Sequence, residues 1–112
     1  MTKRRGSSST EKPLSALVLA TKAERDLAKV SKSTLARVEK ALKDLRAGAA
    51  NLDVKSLRGM DPWIRLRVGS YRILYRALDA EELTKLRPAE KGFLIARVVP
   101  RAELDRESKK LT

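Results

Sequence analysis

The stretch from Lys55 to Arg76, K-S-L-R-G-M-D-P-W-I-R-L-R-V-G-S-Y-R-I-L-Y-R, alternates apolar and basic residues on both sides of a Gly69-Ser70 pair. A two-residue turn beginning with glycine suits a type II′ β-hairpin, because glycine accepts a positive φ at little cost. The turn sets the register. Val68 falls opposite Tyr71, Leu66 opposite Ile73 and Ile64 opposite Tyr75, and all six share one face because side chains alternate along a strand. The other face carries Arg65, Arg67, Arg72 and Arg76, together with Trp63 and Leu74. One face must therefore be covered by the rest of the chain, and the other is a cationic surface with some apolar area.

The remaining elements supply the cover. Leu14 to Ala20 is an apolar stretch of strand length, and Thr21-Lys22-Ala23-Glu24 has capping-box spacing. Ala23, Leu27 and Val30 recur at helical spacing, and Leu35, Val38, Leu42 and Leu45 resume it after Ser31 to Ser33, with Ser33 as the expected N-cap and Gly48 as the stop. Asn51 to Trp63 reads as a connecting loop. Asp79 to Gly92, which contains Pro88, reads as a second loop with one helical turn inside it. Phe93 to Val99 is the last strand, with Leu94, Ala96 and Val98 on one face and Arg97 on the other, beside the hairpin arginines if the strand pairs with Tyr71 to Ala77. Pro100 stops this strand, and the end of the chain forms a helical turn or a tail. Residues 1–13, with the Ser7-Ser8-Ser9-Thr10 tract, lack apolar periodicity and read as a disordered basic arm; residues 14–106 form one domain and 107–112 a C-terminal tail.

A chain of 112 residues is enough for one small core. It has no cysteine and no histidine, which removes disulfides, thiolate nucleophiles, imidazole bases and the usual zinc ligands. No apolar run approaches a membrane span and no segment has the layout of a secretory signal, so the expectation is a soluble cytoplasmic protein with no membrane partner. Lys and Arg number 26 against 14 Asp and Glu, a net charge of +12. That balance favours polyanionic partners, whether RNA, DNA or an acidic protein. Only part of the excess lies in the arm, where Lys3, Arg4, Arg5 and Lys12 stand against Glu11.

The order β-α-α-β-β-β, the element Leu57-Arg58-Gly59, the core W-I-R-L-R-V-G-S-Y-R-I-L-Y from Trp63 to Tyr75, and I-A-R-V-V-P-R from Ile95 to Arg101 together resemble the RelE/ParE-type toxins of bacterial type II toxin–antitoxin systems. The resemblance runs from about Ala16 to Arg106. It implies an α+β fold of the microbial-RNase type, with two N-terminal helices packed on a twisted antiparallel sheet. In the RelE-like branch the basic sheet face cleaves mRNA on the ribosome without a metal or cofactor; in the ParE-like branch the same fold poisons DNA gyrase. A degenerate member would only bind its antitoxin, the partner implied in every case.

Carried over by position, the resemblance implies that Arg65 and Arg67 contact the RNA backbone, that Arg72 is held against the scissile phosphate, and that Arg101 is the basic residue ending the last strand. Lys55, Arg58, Trp63, Arg76 and Arg97 are further candidates for RNA contact. For Trp63, packing beneath a loop is preferred to stacking on a base, and Tyr71 and Tyr75 belong to the core face. Two positions depart from the family pattern. Pro100 stands where many relatives have histidine, and Asp105 stands at the terminal tyrosine position, which makes it the candidate general base. The departures keep the gyrase-directed and binding-only readings open.

Overall fold

In the computed structural model, which describes residues 15–86 and 91–111, Gly69 takes φ 59° and joins β3 (Ile64–Val68) to β4 (Tyr71–Ala77). Val68 faces Tyr71, Leu66 faces Ile73 and Ile64 faces Tyr75, which is the register expected from the turn. Three more strands extend this hairpin: β1 (Ala16–Leu19), β2 (Val54–Ser56) and β5 (Gly92–Pro100). The sheet order is β1-β5-β4-β3-β2.

Helices α1 (Thr21–Lys29) and α2 (Lys32–Ala47) cover the apolar face. Ala23, Val38, Leu42 and Leu45 pack on Leu66, Ile73, Tyr75, Ile95 and Val98, with Leu27 partly buried beside them. Tyr75 meets Phe93 edge to face at 5.6 Å, a ring geometry that favours tight packing and gives the tyrosine a structural role. A short helix α3 (Ala80–Thr84) is the helical turn expected in the second loop, closed by a reciprocal capping box between Asp79 and Glu82. The chain ends in a 3₁₀ turn (Arg101–Glu103) and α4 (Leu104–Ser108). Glu107 and Ser108 are buried, so the expected domain boundary after residue 106 falls inside a packed helix. The proposed N-terminal arm, residues 1–13, lies outside the described residues.

The α+β class holds, and five local expectations are corrected. The sheet is mixed, because β1 runs parallel to β5 while the other pairs are antiparallel. Strand β2 occupies part of the expected loop; its three residues are all exposed, so no apolar alternation marks it in sequence, and it exists by pairing with β3. Thr21 is the first helical residue and not a cap. Ala20 donates its N–H to Ile95 of the sheet (2.9 Å) and accepts from the Glu24 N–H (3.0 Å), so the β-ladder fixes where α1 starts. Ser31, not Ser33, caps α2, accepting from the Thr34 N–H.

The fifth correction concerns β5. Leu74 pairs with Arg97 but Tyr75 pairs with Ile95, so Ala96 is an extra residue in the strand. This β-bulge breaks the two-residue period. Ile95 and Val98 both reach the helix-covered core, whereas Leu94 falls on the opposite face with Arg97.

Gly92, at the start of β5, lies in register with Ala16 of β1. A methyl group there would stand 2.8 Å from Leu78 Cδ1 and 2.9 Å from both the Cβ and the carbonyl oxygen of Ala16. The parallel pair depends on this close approach. Gly92→Ala is expected to destabilise the fold by about 1–3 kcal/mol, the usual cost of overpacking, read as a lower urea midpoint; an unchanged midpoint would show that β1 can move aside freely.

Candidate anion site on the uncovered sheet face

Strand register builds the second face row by row. Lys55, Arg65, Leu74 and Arg97 stand side by side across β2, β3, β4 and β5, and Arg67, Arg72 and Val99 form the next row. Leu74 and Val99 are fully buried and make an apolar floor between the arginines. Arg101 follows at the end of β5, held by its backbone N–H to the Ser70 carbonyl at 2.8 Å.

Arg72 is the most constrained of these residues. Its guanidinium donates to the carbonyls of Gly69 (3.0 Å) and Tyr71 (2.9 Å), and the residue is only 8% exposed. Among the described residues no carboxylate is bonded to it. Burial, and then the like charges of Arg67, Arg65 and Arg101, push its pKa below the usual guanidinium value, with Asp53 offsetting this in part. Asp53 is the acid that enters this cluster, with its carboxylate 3.3 Å from Arg65 and 3.7 Å from Arg67. It sits just before β2, and its carbonyl accepts the Arg67 N–H at 2.9 Å. The sequence reading missed it because the pairing of β2 with β3, which brings it to the arginines, has no signal in that segment.

Arg76 and Arg97 share the face but are already paired. Arg76 forms a bidentate ion pair with Glu82 at 2.9 and 2.8 Å and lies over the Trp63 ring at 5.7 Å. Trp63 is therefore a buried platform for an internal cation. Arg97 donates to both oxygens of Asp26 (2.8 and 3.1 Å) and to Glu107, and Asp26 also takes the Val98 N–H at 2.8 Å. One side chain thus ties α1 and α4 to β5, and these bonds raise the Arg97 pKa, Asp26 contributing most.

The same pairs hold two carboxylates low. Glu82 is lowered to about 2, chiefly by Arg76, and Glu107 to about 2, chiefly by Arg97. Asp105 is exposed on α4, and its carboxylate meets none of the arginines among the described residues; Glu107 is the α4 acid that faces the sheet. Lys55 is exposed beside Arg65 on the same face. Arg58 is exposed in the turn before β3, with no bond to the cluster. What remains is Arg65 and Arg67 on Asp53, with Arg72 beside them and the charge of Arg101 acting on Arg72: several guanidiniums and one carboxylate, a geometry suited to a phosphate or carboxylate ligand.

Residues 17–103 match the model of a family described as the ParE toxin of type II toxin–antitoxin systems, parDE. Among solved structures, the chain resembles one in the RelBE2 toxin–antitoxin complex of Mycobacterium tuberculosis, at 32% identity over 80% of this chain and 100% of that one, with a TM-score of 0.59. It also resembles the RelB–RelE antitoxin–toxin complex of Methanococcus jannaschii (19% identity, 80% and 96% covered, TM-score 0.61). The isolated Escherichia coli RelE toxin matches at 18% identity, with 88% and 97% covered and a TM-score of 0.57. At 18 and 19% identity the likeness is one of fold. No curated protein sequence matches the chain. Among the described residues no helix is long and apolar enough to cross a membrane.

Inorganic phosphate is expected to raise the thermal midpoint of the wild-type chain and to leave that of Arg72→Met nearly unmoved, since only a ligand of the folded site shifts the unfolding equilibrium. Equal shifts in both would place the anion elsewhere. Acid should act through Glu82 and Glu107: their folded values lie below the ordinary 4.5, so the stabilisation is present above about pH 4.5 and lost as pH falls toward about 2. The urea midpoint should decline across that window, and Glu107→Gln should flatten the decline.

Proposed function

The chain belongs to the ParE toxin family of type II toxin–antitoxin systems, and from that premise we propose that it is a toxin whose arginine cluster binds and cleaves RNA, as a metal-independent, ribosome-dependent mRNA endoribonuclease. The observation that carries this reading is Arg72, a nearly buried guanidinium with no bonded carboxylate among the described residues, under the like charges of Arg65, Arg67 and Arg101. In strand cleavage the RNA 2′-oxygen forms a bond to the adjacent phosphorus and the bond to the 5′-oxygen breaks, leaving a 2′,3′-cyclic phosphate and a 5′-hydroxyl. Negative charge builds on the phosphoryl oxygens, and fixed guanidiniums stabilise it. Asp53, between Arg65 and Arg67, accepts the 2′-hydroxyl proton in this reading, in place of the exposed Asp105, and the leaving 5′-oxygen takes a proton from solvent water. Lys55, next to Arg65, extends the contact to a neighbouring phosphate.

The cognate antitoxin is the partner, with the ribosome and mRNA as targets in the cytoplasm. A carboxylate of the antitoxin fits the same cluster as the scissile phosphate, so neutralisation and substrate binding compete for Arg72. A second reading is favoured by the matching family and by the absence of histidine: a ParE-like toxin that binds DNA gyrase and needs no hydrolytic chemistry.

Expression of the chain alone in bacteria, followed by mapping of mRNA 5′ ends, tests the first reading. Cuts phased to the ribosomal A site are expected, with Arg72→Ala slowing cleavage by about 10²–10³-fold, the usual effect of losing one charge-stabilising donor. Asp53→Asn should also slow cleavage while leaving RNA affinity equal or higher. Intact mRNA together with inhibited supercoiling by gyrase would select the second reading.

A further inference from the structure

Arg37 reaches the hairpin tip from the helix layer. A methyl group built on Gly69 would stand 3.1 Å from a terminal nitrogen of the Arg37 guanidinium, so this side chain of α2 lies directly against the turn. Arg37 is exposed and makes no ion pair among the described residues. On the other side of the same two-residue turn, Arg72 donates to the Gly69 carbonyl and the Arg101 backbone N–H donates to the Ser70 carbonyl. Two guanidiniums, that of Arg72 from the sheet layer and that of Arg37 from the helix layer, therefore reach Gly69, while Arg101 is tied to the turn by its backbone. Gly69 suits this turn through its φ of 59°, and a side chain there would press on the Arg37 guanidinium.

Two guanidiniums held at one turn repel one another, and an anion shared between them or placed beside each relieves that repulsion. We propose that Arg37 forms a second phosphate subsite, which takes the phosphodiester next to the one held by Arg72, so that a single RNA strand crosses the hairpin tip from the sheet face onto α2. The subsite rests on the RNA-binding reading of the arginine cluster. It adds to that reading a direction for the strand and a contact outside the cleavage site. Arginine suits the position, since its planar fork pairs with phosphate oxygens two at a time.

The test is the salt dependence of binding of a labelled single-stranded oligoribonucleotide to the full chain, followed by fluorescence anisotropy. Each phosphate neutralised contributes about 0.7 to the slope of log affinity against log salt on a single strand. Arg37→Ala is expected to reduce the slope by about 0.7 and weaken binding, and Arg37→Lys, which keeps the charge, to restore the slope. Lys43→Ala removes an equal charge from α2 six residues further on and should change the slope less. An unchanged slope in Arg37→Ala alongside a reduced one in Arg101→Ala would overturn the subsite and leave the main reading standing. A loss as large in Lys43→Ala would also overturn it, in favour of general attraction. Absence of RNA binding by the wild-type chain would overturn both.

Discussion

The register of the β3–β4 hairpin is the constraint on which the other features depend. A shift of one residue would send every arginine of the ribbon into the helix-covered core and every apolar partner to the outside. The Gly69-Ser70 turn prevents that shift by fixing Val68 opposite Tyr71. Once the register is set, Leu66, Ile73 and Tyr75 present one surface to α1 and α2, and the segregation of charge onto the other face follows. The same turn then becomes a point of assembly, where β4, the end of β5 and α2 meet through Arg72, Arg101 and Arg37.

Chemically identical side chains do different work on that second face, and the difference is the acid each one meets. Arg97 is bonded to Asp26 and Glu107, and Arg76 to Glu82, so both act as internal ties: one clasps α1 and α4 to the sheet and the other anchors α3 over Trp63. Arg65 and Arg67 divide one carboxylate between them, and Arg72 has carbonyls for partners. A buried ion pair broken on one side is costly because it strands the other charge, which keeps Arg76 and Arg97 from turning toward an incoming ligand. The positive potential is therefore concentrated at the hairpin tip, where a phosphate or a carboxylate relieves repulsion that the fold itself leaves in place.

Local signals were legible wherever a single stretch carried its own constraint. The hairpin, both helices, the αL stop at Gly48 and the helical turn before residue 85 are of this kind, and the resemblance drawn from Trp63 to Tyr75 agrees with the family match. Features created by pairing were not legible. Strand β2 exists because Val54 to Ser56 lie against β3, and the Ala96 bulge shows only in how β5 pairs with β4, with Val98 beyond it turning its N–H to Asp26. The cap of α1 likewise moved to Ala20 because that residue is still bonded to the sheet.

The sequence alone determined the two-faced ribbon, the apolar stripes that cover it and the excess of positive charge, because alternation, helical periodicity and residue type are properties of neighbours along the chain. Tertiary structure decided the parallel seating of β1 on β5, which depends on a glycine at residue 92, and it decided which arginines remain available. Asp26, Asp53, Glu82 and Glu107 lie far apart in sequence, yet their positions relative to the sheet determine whether each guanidinium is spent within the fold or left for a ligand. Electrostatic pairing acts over a few ångströms in space, and no local pattern of residues encodes that distance.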